Sequence, residues 1–305
     1  MHNQKLKGNS LLLLAAFVWG LSFISQSKGV ETLSPIAFNG YRSILGAAVL
    51  LPVIYLIDSG KRKKGTEVQP VNKTLIIGGI ICGALLCVAS TLQTSGMVYT
   101  SPGKAAFITV LYMVIVPIIG LFTGKRPTLA IGFSVVVATI GLYLMCIDTE
   151  SLALNRGDVL IFACAFVFAL HILAIDHFSP KVDGVKLACL QFFVCGVLNV
   201  LLLFFTGFPS WSDTLSCWAS IGYSGALSCG VGYTLQIVGQ KYTDPTSASI
   251  LMSLESVFAT LATVILIALG WNLTGGAMTT REILGCVLMF VAILLVQLPD
   301  KKTSK

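Results

Sequence analysis

Three side chains stand where solvation is hardest to supply. Arg42, His171 and Glu255 each fall deep inside a long apolar stretch of this 305-residue chain. Ionisable groups in such surroundings are costly, so a functional role is their default reading. At about 1.5 Å per residue, Arg42 enters from one side to roughly 10 Å and Glu255 from the other to roughly 14 Å. A guanidinium and a carboxylate at similar depth can form a structural ion pair. They can equally bind a ligand, or couple a conformational change to proton exchange or to a change of ion-pair partner. His171 can be a substrate or proton ligand, or a hydrogen-bonded core histidine.

Neutral polar and aromatic side chains extend the set. Gln93 and Gln236 are amides within apolar stretches; they can hold polar substrate groups or bridge helices. Trp19 lies too deep for an interfacial aromatic belt, which leaves packing or cavity lining. Around Glu255, Ser249, Ser253, Ser256, Thr260 and Thr263 form one stripe at helical spacing. Glu255 lies about 120° from that stripe, near Ala248, Ala259 and Ala262. One face is expected to pack on a neighbour and the other to line a cavity, with Ser253 a candidate ligand. The sequence leaves open which face is which.

The elements that position these residues are membrane spans. Charged residues make up 11% of the chain, against roughly 25% in soluble domains. Hydrophobic residues reach 55%, and the mean hydropathy is +0.88. Ten apolar stretches can be drawn, at 8–27, 35–57, 74–98, 103–122, 128–147, 157–175, 184–206, 214–238, 246–269 and 281–298. Turn or helix-start signals separate them at Ser34-Pro35, Ser101-Pro102, Arg126-Pro127, Ser179-Pro180 and Asp244-Pro245. The first stretch is full length and lacks a clear cleavage site, so it reads as a span rather than a signal peptide. With the N-terminus inside, fifteen Lys and Arg face the cytoplasm and four face out. That bias predicts both termini in the cytoplasm. The net charge of +7 then needs no nucleic acid. Most of the cysteines fall in apolar stretches without C-x-x-C spacing, so neither metal nor disulfide chemistry is expected.

The chain also repeats itself. Residues 92–102 read LQTSGMVYTSP and residues 235–245 read LQIVGQKYTDP. Upstream, Gly83-Ala84-Leu85 matches Gly225-Ala226-Leu227 with one residue inserted between the two blocks, and Ala16-Phe17-Val18 echoes Ala165-Phe166-Val167. Tyr112 occupies the repeat position of Glu255, so a cavity shared by the halves is chemically asymmetric. Five spans per half is odd, so the second half enters the membrane from the opposite side. Inverted repeats of this kind give carriers two equivalent conformations, one open to each side. Pro102 and Pro245 mark the matched junctions and are candidates for a structural or coupling role.

These residues resemble the EamA-type family of the drug/metabolite transporter superfamily. Trp19-Gly20, Ser34-Pro35 with Arg42, the two Tyr-Thr-x-Pro junctions, and Ser253-Leu254-Glu255 with Val257-Phe258-Ala259 carry the likeness. It implies an all-α integral membrane protein of ten helices in two inverted five-helix repeats, over residues 1–147 and 148–305. It also implies a central cavity lined mainly by the first, third, fourth, sixth, eighth and ninth spans. The family often places Pro after the carboxylate of the ninth span; here Ser256 stands there, which puts a kink in question. The function implied is secondary transport of small organic metabolites, amino acids or similar, often exported, across the cytoplasmic membrane by alternating access. The competing classes are an intramembrane enzyme using His171 with Glu255 and a non-transporting scaffold or sensor. No motif of soluble catalysis or of an ATP-driven motor is present in the sequence. No cofactor is expected. The expected partners are a small-molecule substrate, the bilayer, protons through Glu255, and at most a second copy of the chain.

Overall fold

The computed structural model describes residues 2–99, 102–122, 124, 128–146, 155–270 and 279–297. All regular structure among them is helical. In chain order the helices are α1 (His2–Val30), α2 (Pro35–Lys63), α3 (Lys73–Met97), α4 (Pro102–Thr109), α5 (Tyr112–Phe122), α6 (Leu129–Cys146), α7 (Arg156–Phe178), α8 (Gly184–Thr206), α9 (Trp211–Ser216) and α10 (Trp218–Gly222). A π-helical segment, Tyr223–Gly232, leads into α11 (Tyr233–Gln240), followed by α12 (Pro245–Met252), α13 (Glu255–Ala268) and α14 (Thr280–Gln297). Thr100, Ser101, the Arg126-Pro127 turn, the 147/148 boundary between the halves and the C-terminal lysines lie outside the described residues.

Several of the turn signals act as helix caps. Ser34 accepts from the Ala37 N–H with Pro35 in the first turn of α2, and Asp244 accepts from the Ser247 N–H with Pro245 opening α12. Each cap satisfies a backbone donor that hydrocarbon could not. Among the described residues, seven helical stretches are long and apolar enough to cross a membrane, and shorter apolar helices cover Leu129–Leu144 and Ile283–Leu295. The chain is an integral membrane protein. The uniform eighth span drawn over 214–238 is corrected: that stretch is split into α9, α10, the π segment and α11. It holds four glycines, Gly222, Gly225, Gly230 and Gly232, with Gly239 just beyond. Glycine weakens α-helical preference, and the stretch carries one residue more than its repeat partner in α3.

The fourth and ninth spans are each broken once. α4 gives way to α5 at Val110-Leu111, and α12 gives way to α13 at Ser253-Leu254. Around the first break Leu111 N–H donates to Ile108, Met113 N–H to Val110 and Ile115 N–H to Leu111. Around the second, Leu254 N–H donates to Leu251, Ser256 N–H to Ser253 and Phe258 N–H to Leu254. Every donor and acceptor in the second set lies 143 residues after its counterpart. Glu255 therefore opens α13 after a break that needs no proline at Ser256.

Polarity runs inside out. Leu129 is 95% exposed and Phe205 88%, while Asn39, His171, Gln191 and Asn199 are fully buried. Lipid accepts the first kind; hydrogen bonds hold the second. α1 packs on the π segment, α11 and α13, and α2 packs on the π segment; together these form one group. α3, α4 and α5 pack on α7, and α3 also on α8, forming the other. α2 against α8, and α6 against α14, join the two. At one end of the α2–α8 contact, Lys61 pairs with Asp183 at 3.0 Å and Lys186 with Asp58 at 2.9 Å. Burial works to raise the Asp183 carboxyl, but the Lys61 hydrogen bond and charge, with the Val185 and Lys186 N–H groups, outweigh it and hold it below the usual carboxylate value.

Candidate functional site

A cavity lies between the two groups, with about 500 Å³ of unfilled space counting its open side. Its wall combines Trp19, Phe23 and Gln26 of α1, Arg42 of α2, Gln93 of α3, Thr109 of α4, Tyr112 of α5, and Phe168, His171 and Ile172 of α7. The other side supplies Ser228 of the π segment, Tyr233 and Gln236 of α11, Met252 of α12 and Glu255 of α13. Trp19, Arg42, Gln93, Tyr112, His171, Gln236 and Glu255 thus meet in one place, although they come from seven different helices.

Across the cavity the Tyr112 hydroxyl donates to Glu255 Oε1 at 3.1 Å. These are the first residues after the two helix breaks, and they occupy equivalent repeat positions. The Arg42–Glu255 ion pair, one of the alternatives open in the sequence, is not formed: no carboxylate lies within 4.0 Å of Arg42 among the described residues. Arg42 instead stacks over the Phe38 ring at 5.5 Å, and its Nε has no hydrogen-bond partner. His171 Nε2 meets Gln191 Oε1 at 3.1 Å, and the Gln93 amide donates to Thr109 at 3.2 Å. Gln26 Oε1 and Gln236 Oε1 are buried without partners.

Aromatic rings line the rest. Trp19 and Tyr233 have centroids 4.6 Å apart, and Tyr233 also meets Phe192 at 5.1 Å and His171 at 6.0 Å. The Trp19 indole N–H donates to the Ser228 carbonyl at 3.4 Å. Gly232 permits this, since a Cβ there would sit 2.7 Å from the indole nitrogen. Gly20 does the same for the backbone: a Cβ would lie 2.5 Å from Phe258 and 2.8 Å from the Glu255 carbonyl. The Trp19-Gly20 pair therefore presses α1 against the start of α13.

One candidate ligand takes another position. Ser253 sits in the α12–α13 break, and its hydroxyl donates to the Ile250 carbonyl at 2.7 Å. The rest of its stripe behaves alike: Ser249, Ser256, Thr260 and Thr263 each donate to a carbonyl three or four residues back. The cavity face of the ninth span is instead Met252 and Glu255. Pro102 and Pro245, the junction residues, open α4 and α12. Sequence reasoning missed Tyr233, Phe168, Gln26 and Thr109. Helical spacing held a signal for two of them, since Thr109 precedes Tyr112, and Tyr233 precedes Gln236, by three residues.

A polytopic helical membrane protein with a cavity between helix groups, lined by both aromatic and polar side chains, is an architecture suited to a membrane transporter. The chain belongs to the EamA-like transporter family, which it matches over residues 6–147 and again over 155–298. It is 28% identical to an uncharacterized transporter of Archaeoglobus fulgidus over 290 residues, 94% of this chain and 84% of that one. It is 22% identical over 288 residues to the uncharacterized transporter YoaV of Bacillus subtilis, covering 92% of this chain and 94% of the relative. One solved crystal structure shares the fold with a TM-score of 0.72 at 15% identity, over 98% of this chain and 99% of that one.

Proposed function

We propose that this protein is a secondary transporter that moves small organic metabolites, amino acids or similar, across the cytoplasmic membrane by alternating access. The observation that carries the reading is the Tyr112–Glu255 hydrogen bond. It joins the two helix groups inside the cavity, at equivalent positions of the repeat. A contact of that kind breaks and reforms when the groups rock.

The halves, residues 1–147 and 148–305, are related as inverted five-helix repeats in this reading, with both termini cytoplasmic. Matching contacts whose residues are offset by 149, 142 or 143 positions between the halves support it. A Cβ on Gly83 would meet the Gln191 carbonyl and Val194, and a Cβ on Gly225 would meet the Arg42 carbonyl and Leu45. Gly8 abuts the Gly239 carbonyl as Gly157 abuts that of Gly96. Each contact is its partner with the halves exchanged. The reading takes the protein as a carrier rather than an enzyme, with His171 engaged by Gln191 and Glu255 by Tyr112. The working unit is a monomer or homodimer, with no cofactor, and Glu255 exchanges the coupling proton. Counterflow of radiolabelled amino acids in proteoliposomes tests transport: saturable exchange is expected, and its absence across a metabolite panel counts against the reading. Labelling of Lys63→Cys from outside intact cells would overturn the orientation.

A further inference from the structure

Arg42 presents an unresolved charge. It is 5% exposed, it lies within a membrane span, and no carboxylate neutralises it among the described residues. Buried charges in membranes are ordinarily paired, or face a water-filled cavity that carries their ligand. The Phe38 ring offsets part of the cost from one side of the guanidinium. The Arg42 backbone is held as well, because Gly225 lets the π segment close on the Arg42 carbonyl.

Its repeat equivalent carries no charge. Gln191 stands at the matching place in α8, is neutral, and has its carbonyl oxygen engaged by His171. The cavity therefore has one cationic pole rather than two. Opposing acceptors are present in the same wall: the unpartnered Gln26 Oε1 and Gln236 Oε1, and the Glu255 carboxyl group.

We infer that Arg42 is the anion-binding residue of this cavity and that the ligands it selects carry a carboxylate. The inference rests on the cavity being the substrate site. A carboxylate offers a guanidinium two parallel charge-assisted hydrogen bonds. It brings a single negative charge, matching one arginine; a phosphomonoester brings about −1.5 to −2 and leaves charge uncompensated in a low dielectric. A ligand that also bears an ammonium group finds acceptors in Gln26, Gln236 and Glu255, so amino-carboxylates fit both poles. Arg42 thereby determines specificity rather than merely joining helices.

The test uses the purified full chain in detergent, with the standard L-amino acids and their carboxamides as matched probes. Thermal stabilisation is read first and proteoliposome flux second. At least one acid is expected to stabilise the protein while its amide does not. Arg42→Gln is expected to weaken that binding by about 30-fold or more, and Arg42→Lys by less, since it keeps the charge but loses the fork. Amides that stabilise as well as acids, an Arg42→Gln variant that binds acids normally, or no acid-dependent stabilisation would each overturn the inference. Should Arg42→Gln fail to fold, the acid-against-amide comparison on the unaltered chain decides alone. Flux of neutral or cationic solutes that ignores Arg42→Gln sinks this inference and leaves transport standing. Arg42-dependent binding without flux does the reverse.

Discussion

The fourth and ninth spans invite comparison with the third and eighth. The first two are breaks in the same place, with the same tightened hydrogen bonds, 143 residues apart. The second two share the GAL and LQ blocks yet differ in kind: α3 is one helix of 25 residues, while its counterpart contains a ten-residue π-helix. A single inserted residue lies between the matched blocks where the two differ. A π turn takes up an extra residue without losing the backbone ladder, and π segments cluster at functional sites. Here the segment sets Ser228 against Trp19, upstream of Tyr233 and Gln236 in the cavity wall. The spans that agree bring Tyr112 and Glu255 to matching breaks, and the pair that disagree makes the cavity asymmetric.

The largest expected effect tests the agreement. Gly83→Leu and Gly225→Leu each force a side chain into a backbone carbonyl at 2.7 and 2.9 Å. Both should destabilise by about 3 kcal/mol or more, and by similar amounts, as read by thermal unfolding in detergent. A mild loss at one and a severe loss at the other would break the equivalence.

Deleting Val231 tests the disagreement. The shortened helix should become regular like α3, stay folded, and lose cavity geometry, with flux falling ~10-fold or more for a misplacement of about 1 Å. Wild-type flux in the deletion would make the π segment incidental. Next comes Tyr112→Phe, which removes one hydrogen bond between the groups. It should cost on the order of 1 kcal/mol and shift the pH profile of flux more than it shifts unfolding.

The smallest effect lies outside the cavity. Asp183→Asn keeps an oxygen for the α8 cap and removes the charge facing Lys61, so a loss of about 0.5 kcal/mol is expected near neutral pH. The Asp183 carboxyl is held low in the folded protein. Its contribution is therefore full above the ordinary carboxylate range of about 4 and disappears as pH falls through its folded value. Unfolding curves for the two proteins should converge in acid; divergence there would refute the sign.

Much of this was legible beforehand, for physical reasons. Arg42, His171 and Glu255 stood out because charge in hydrocarbon has few explanations. Gln93 and Gln236 stood out because they recur in register. Phe168 and Tyr233 did not, since an aromatic in an apolar span has no contrast with its neighbours. The Ser/Thr stripe drew attention for its polarity, but hydroxyls that bond their own helix need no cavity. The inserted residue was visible as a gap between matching blocks. Its outcome as a π-helix depended on packing against α1 and α2, which periodicity does not encode.

The account rests most directly on Glu255 acting in the transport cycle. The decisive measurement is flux through reconstituted Glu255→Gln across a range of pH, beside the unaltered protein. Glutamine keeps the shape and can still accept from Tyr112, but it cannot ionise. The variant should remain folded, while its flux falls or loses its pH dependence. A folded variant that transports at the unaltered rate at every pH would contradict the account.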